Sequence, residues 1–278
     1  SAQIARRVYD WLSANERALR LVAWGVALIV YFLQVSKLGT WLIDDAGITF
    51  AYTRTLAQGY GLTQQPGMPP VEGFSNPLWL VLFTPFFWLG LFDPVVTSKA
   101  VSLLCIAGAL WLMLSLGRRV LGKSLWLFMA PVVWTVLQPA FLIWTTSGLE
   151  NPLYMLLIML LFKACLDAME AESLSWRDGL IAGLICTGLA LTRPDALTFV
   201  VLWPGVLLWR LVTKRGGWRA GWVFVSGYAV TLGGYFLFRR LYFGFWWPNT
   251  YYAKEGTDGK NVLDVLQLAT PALVKIQN

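Results

Sequence analysis

Apolar residues gather into eight runs along this chain, at about 21–38, 77–92, 98–116, 124–144, 152–166, 179–192, 196–212 and 219–238. None alternates with the period of two that a half-exposed strand needs, and most are too uniformly apolar to leave one helical face in water. They predict helices that cross a membrane, a task for which about 20 apolar residues are needed and about 17 is the lower limit. The run 77–92 falls short and is closed by Gly90 and by Asp93-Pro94. The runs 152–166 and 179–192 are short as well, and lengthen only by admitting polar residues.

The basic residues arbitrate. If 77–92 does not cross, then Arg17 and Arg20 near the N-terminus, Arg118, Arg119 and Lys123, Lys163 and Arg177, and the group Arg210, Lys214, Arg215 and Arg219 all share one side with Arg6 and Arg7. That side holds thirteen of the 22 basic residues, in short segments. If 77–92 crossed, the 117–123 and 210–219 clusters would face outward, against the bias of Lys and Arg toward the cytoplasm. The pattern predicts an all-α polytopic membrane protein of about seven spans. Residues 77–92 become an interfacial or re-entrant helix in a first extracytoplasmic loop covering 39–97.

Composition agrees: the chain is 57% hydrophobic, 13% charged and carries 16 tryptophans, whereas soluble domains have roughly a quarter charged residues. Its net charge of +7 reads as orientation in a bilayer, since no basic run exceeds two residues, and no nucleic-acid partner is expected. There is no histidine, which removes Ser-His-Asp and Cys-His catalysis and histidine-based zinc sites. Cys105, Cys165 and Cys186 lie inside apolar runs without CxxC spacing and read as core residues. Arg6-Arg7 leads into a polar stretch before the first apolar run, the pattern of a retained first span rather than a cleavable signal peptide.

On this topology the unusual polar clusters fall on the outer side. Asp44 and Asp45 open the first loop, ahead of a short amphipathic pattern from Ala46 to Leu56 that contains Arg54 and is followed by Glu72, Ser75 and Asn76. One aspartate would serve as a helix cap; the second has no structural task, and a carboxylate at the edge of lipid is costly without a partner or a proton to exchange. Glu150, in Thr145-Thr146-Ser147-Gly148-Leu149-Glu150, suits the first turn of the next helix and also adds a third carboxylate to that side. Arg193 and Asp195 flank Pro194 where one span ends and the next begins; they either pair with each other or face a substrate. Beyond the last span, Arg239, Arg240 and Lys254 bracket an aromatic stretch containing Tyr251, which suits either an interfacial belt or a lipid-like or sugar-bearing ligand.

The strings Asp44-Asp45-Ala46-Gly47-Ile48-Thr49-Phe50, Gly59-Tyr60-Gly61-Leu62, Val71-Glu72-Gly73-Phe74-Ser75, Thr146-Ser147-Gly148-Leu149-Glu150, Thr192-Arg193-Pro194-Asp195 and Pro248-Asn249-Thr250-Tyr251-Tyr252 together resemble the GT-C superfamily of polyprenyl-phosphate-sugar glycosyltransferases. Within it they are most similar to the mycobacterial terminal arabinofuranosyltransferase group. The resemblance covers roughly residues 20–255. It implies a GT-C module over 1–238 in a prokaryotic plasma membrane. Its active site would face the extracytoplasmic side, and 239–278 would form an extracytoplasmic aromatic loop and the start of a C-terminal part, the chain being either a fragment of a longer protein or a minimal version. It implies inverting transfer of a sugar, arabinofuranose in this group, from a polyprenyl-phosphate donor to a glycan or protein hydroxyl. The base maps to Asp44 or Asp45, with Asp44 favoured.

The chemistry assigns further roles. Arg193, Arg239, Arg240 and Lys254 would face the leaving phosphate, and Arg54, Glu72, Glu150, Asp195 and Tyr251 join them as substrate-binding candidates. Asp45 and Glu150 could hold a divalent cation such as Mg2+, Mn2+ or Ca2+. A GT-C transferase for another lipid-linked sugar, and a non-catalytic lipid transporter, are the alternatives. Transport would ask for ionisable groups deep in the spans, which the apolar runs lack.

Overall fold

The computed structural model describes residues 15–122 and 124–247. These form eleven α-helices and two short 3-10 turns, with no strand among the described residues: α1 (Glu16–Val35), α2 (Asp44–Ala57), α3 (Pro77–Trp88), α4 (Pro94–Leu121), α5 (Leu125–Leu137), α6 (Pro139–Thr146), α7 (Asn151–Glu170), α8 (Trp176–Thr192), α9 (Leu197–Val200), α10 (Leu202–Val212) and α11 (Trp218–Phe243). Among the described residues, five stretches are long and apolar enough to cross a membrane: Glu16–Leu38, Pro94–Leu121, Asn151–Glu170, Pro194–Val212 and Trp218–Phe243.

Two expected spans take other forms. The run 124–144 is broken into α5 and α6, whose axes differ by 64°, and counts as a sixth span only if the bent pair is taken as one. Gln138 adopts an extended conformation (φ −78°, ψ 119°) ahead of Pro139, because a residue before proline is pushed out of the helical region. The run 179–192 becomes α8, whose 17 residues extend about 26 Å, short of a hydrocarbon core of about 30 Å. The interfacial candidate forms α3, 12 residues long, and at about 18 Å it is too short to cross. It lies along α2, where Trp88 Nε1 donates to the Ala57 carbonyl at 3.1 Å.

Proline and side-chain caps set several boundaries. Pro94 starts α4 behind Asp93, whose carboxylate accepts from Val95 N at 2.9 Å and Val96 N at 2.7 Å. Ser175 and Asp178 form a reciprocal capping box on α8. The interior is divided into clusters: Tyr31, Ile106, Leu110 and Phe128 join α1, α4 and α5; Phe50, Trp79 and Phe83 join α2 and α3 to α4; Leu161, Leu189, Trp203 and Phe224 join α7, α8, α10 and α11. Gly179 of α8 packs so closely on α11 that a Cβ there would stand 2.1 Å from the Ala220 carbonyl oxygen.

Charge is sorted between the two ends of the bundle. At one end Arg118 reaches Glu16 through two nitrogens, each at 2.8 Å. There Arg119 also pairs with Asp167 and Glu170 at 2.6 Å, and Lys163 pairs with Asp167 at 2.6 Å. Arg210 is fully buried beside them and donates to the carbonyls of Ala168, Ala171, Glu172, Arg215 and Gly216. The segments that carry the basic clusters thus meet at one end. The site described next lies at the other.

Candidate functional site

A cavity of about 860 Å³ opens where the first turn of α2, residues 73–77, the 149–150 turn, the end of α8 and the last turns of α11 converge. Its volume is in the range of roughly 300–1,000 Å³ common for small-molecule sites.

Asp44 and Asp45 occupy the first turn of α2, one and two positions past the cap; the N-cap is Ile43, and no side chain caps this helix. Both aspartates are exposed. Asp45 lines the cavity, whereas Asp44 is not on its wall. Neither aspartate has a hydrogen-bond or ion-pair partner among the described residues.

The turn carrying Glu150 also anchors α2 and α3. Ile43 N donates to the Ser147 carbonyl at 3.0 Å, and Trp79 Nε1 donates to the Gly148 carbonyl at 3.0 Å. Gly148 has φ +87°, and a Cβ there would meet the Ala46 Cβ at 2.9 Å, so the turn needs glycine both for its conformation and for its approach to α2. Glu150 is 6% exposed. Although it stands at the N-cap of α7, its carboxylate makes no capping bond. Oε2 accepts from Asn76 Nδ2 at 2.7 Å, and Oε1 pairs with Arg193 Nη1 at 3.1 Å. Asn76 in turn accepts from the Thr49 hydroxyl at 3.1 Å, linking α2 to α7.

Arg193 is shared. Its Nε donates to Asp195 Oδ1 at 2.9 Å and its Nη1 to Asn151 Oδ1 at 3.2 Å, with the Tyr154 ring 5.6 Å from the guanidinium carbon. Burial works against its charge, but the bond and charge of Asp195 and the charge of Glu150 outweigh it and raise the pKa of Arg193 above the usual arginine value. The two ways of reading Arg193 and Asp195 thus meet in one arrangement: they pair, and both line the cavity.

Glu72 and Arg239 form a second, buried ion pair, with Nε to Oε2 at 2.7 Å and Nη2 to Oε1 at 3.1 Å; Arg239 lines the cavity and Glu72 lies behind it. The Tyr235 hydroxyl donates to Glu72 Oε1 at 2.7 Å, and Arg239 Nη1 donates to the Trp246 carbonyl at 3.2 Å. Residues 71–73 are pinned by Tyr52, whose hydroxyl donates to the Val71 carbonyl at 2.6 Å and accepts from Gly73 N at 3.2 Å.

The remaining candidates lie elsewhere. Arg54 is exposed in the last turn of α2, away from the cavity wall. Arg240 is exposed and donates to the Gly244 carbonyl. Tyr251 and Lys254 lie outside the described residues. Sequence reasoning gave no role to Asn76 or Tyr235, whose partners Glu150 and Glu72 are 74 and 163 residues away; a polar residue immediately before Pro77 was the sole local signal for the first.

A divalent cation finds an awkward donor set at Asp45 and Glu150. Both Glu150 oxygens already have partners, and the Arg193 guanidinium neutralises the charge a hard cation would use. The donors fit an ion-paired carboxylate better than a metal ligand, and no step below passes through a metal. What the arrangement offers chemically is one unpaired carboxylate, Asp45, in a pocket shared with a buried carboxylate–guanidinium network. Compared with protein-family models, curated proteins and solved structures, the chain matches none.

Proposed function

We propose that this protein is a membrane glycosyltransferase that moves a sugar, arabinofuranose, from a polyprenyl-phosphate donor to a hydroxyl of a cell-envelope glycan, with inversion. Its cavity end faces the extracytoplasmic side of a prokaryotic plasma membrane. The observation that carries this reading is the unpartnered Asp45 carboxylate on the wall of a cavity that also holds Arg193.

In the reaction the acceptor oxygen forms a bond to the anomeric carbon as the bond from that carbon to the phosphate oxygen breaks. Asp45 takes the acceptor proton, and the polyprenyl phosphate leaves with the electron pair. Both oxygens of Glu150 are already held by Asn76 and Arg193, whereas the Asp45 carboxylate is exposed and unpartnered, so Asp45 suits this role and Glu150 does not. Arg193 lies where growing charge on the phosphate needs a cation. The resemblance to GT-C transferases supports the same class of donor, and the gathering of Arg118, Arg119, Lys163 and Arg210 at the opposite end supports the orientation.

The test is transfer from a radiolabelled polyprenyl-phospho-arabinose by purified protein. Asp45→Asn is expected to lower turnover by about 100-fold or more, the usual worth of a positioned base, while Asp44→Asn stays within about tenfold. Wild-type turnover by Asp45→Asn would remove the assignment.

A further inference from the structure

We infer that Asp195 is a built-in occupant of a phosphate-binding fork on Arg193, displaced when a phosphate ester enters the cavity. The inference rests on the lipid-phosphate reading above. A guanidinium grips a phosphate most firmly through two parallel N–H bonds from one edge. On Arg193 the Nε–Nη2 edge is half used: Nε donates to Asp195 Oδ1 at 2.9 Å, and Nη2 has no partner among the described residues. The third nitrogen, Nη1, is fixed on Glu150 and Asn151.

The two carboxylates on this arginine are held very differently. Glu150 is buried and tied by Asn76. The Asp195 side chain is 58% exposed, stands on the 3-10 turn Pro194–Ala196, and has a second oxygen with no partner among the described residues. A phosphate can take both Nε and Nη2 where Asp195 takes one. Arg239 offers no such opening, since it is buried, the Glu72 carboxylate stands against its Nε–Nη2 edge at 2.7 and 3.1 Å, and its Nη1 donates to the Trp246 carbonyl. Among the charged residues that line the cavity, the carboxylates Asp45, Glu150 and Asp195 outnumber the cations Arg193 and Arg239, and Glu72 pairs with Arg239 behind it, so an anion is opposed until one carboxylate withdraws. Asp195 is the one free to do so.

The test titrates purified protein in lipid nanodiscs with a polyprenyl monophosphate and, separately, with inorganic phosphate. Asp195→Asn is expected to tighten both by about fivefold, the worth of a single exposed ion pair. Asp195→Glu, which keeps the competing charge, should stay within about twofold of wild type. In an Arg193→Gln background the gain from Asp195→Asn should fall below about twofold, because the competitor then has nothing to release. A gain that persists in that background would be through-space repulsion and would overturn the proposal. So would a gain for the lipid alone, which would place the effect in the tail, or no gain for either probe. Should Arg193→Gln not fold, the double variant Arg193→Gln with Glu150→Gln, which leaves no buried carboxylate unpaired, supplies the background. Wild-type protein that binds neither probe would remove the lipid-phosphate reading itself, and this inference with it.

Discussion

Asn76 uses both ends of its amide, one on Glu150 and one on Thr49, and so sets the orientation of a buried carboxylate. Replacing it with Leu leaves one Glu150 oxygen unsatisfied. The expected cost is about 1–3 kcal/mol, measured as a lower midpoint of thermal unfolding in detergent. Tyr52 gives a pH-dependent counterpart. Burial above all, opposed by the Gly73 N–H and reinforced by the charge of Glu72, raises its pKa above the usual tyrosine value, which is about 10. The neutral phenol is therefore favoured in the folded state. That contribution is fully present below the unfolded value and is lost as pH climbs through the folded one. Tyr52→Phe should be less stable at neutral pH but should decline less steeply above about pH 10, as followed by unfolding across pH 8–12. Residue types told much about this site and partners told little. Asp45, Glu150, Arg193 and Asp195 stand out because charge is scarce in so apolar a chain. The Glu72–Arg239 pair is invisible in the sequence, because its members are 167 residues apart and no local spacing brings them together.

Between elements, the closest packing is that of α8 on α11. Gly179→Ala would drive a methyl group into the Ala220 carbonyl, and the expected loss is about 2–3 kcal/mol from overpacking. One turn further on, a Cβ at Gly183 would sit 3.5 Å from the Phe224 carbonyl, an ordinary contact, so Gly183→Ala should change stability by less than about 1 kcal/mol. The pair of variants, compared by thermal unfolding, separates a steric requirement from a general preference for small residues. The helices themselves were largely legible, since long apolar runs in membranes have little choice but to be helical. Their breaks were less so. Pro131 remains inside α5 while Pro139 ends it, and the run 124–144 is apolar on both sides of each proline. Which one bends the chain depends on how α6 packs against its neighbours. Likewise, hydropathy shows that 179–192 is apolar but not that its helix ends at 17 residues.

At the scale of the whole molecule, one end of the bundle is knit by ion pairs and the other holds the cavity. If the orientation proposed above holds, a Met68→Cys variant, in the exposed 64–71 segment, should react with a membrane-impermeant maleimide in intact cells. Ser173→Cys, exposed beside the basic end, should react only after permeabilisation. The three native cysteines are buried and give a low background. Equal labelling of both sites in intact cells would contradict the orientation. The basic end also bears on how the protein is made. Arg210 is a charge that hydrocarbon tolerates poorly, and its five carbonyl acceptors come from the end of α7, the turn after it and residues 215–216. That shelter does not exist when α10 first emerges from the ribosome. It is complete only once α7 lies alongside and Gly216 has been added, so α10 has reason to wait at the translocon beside α7 and the returning α8, and the three enter the bilayer together.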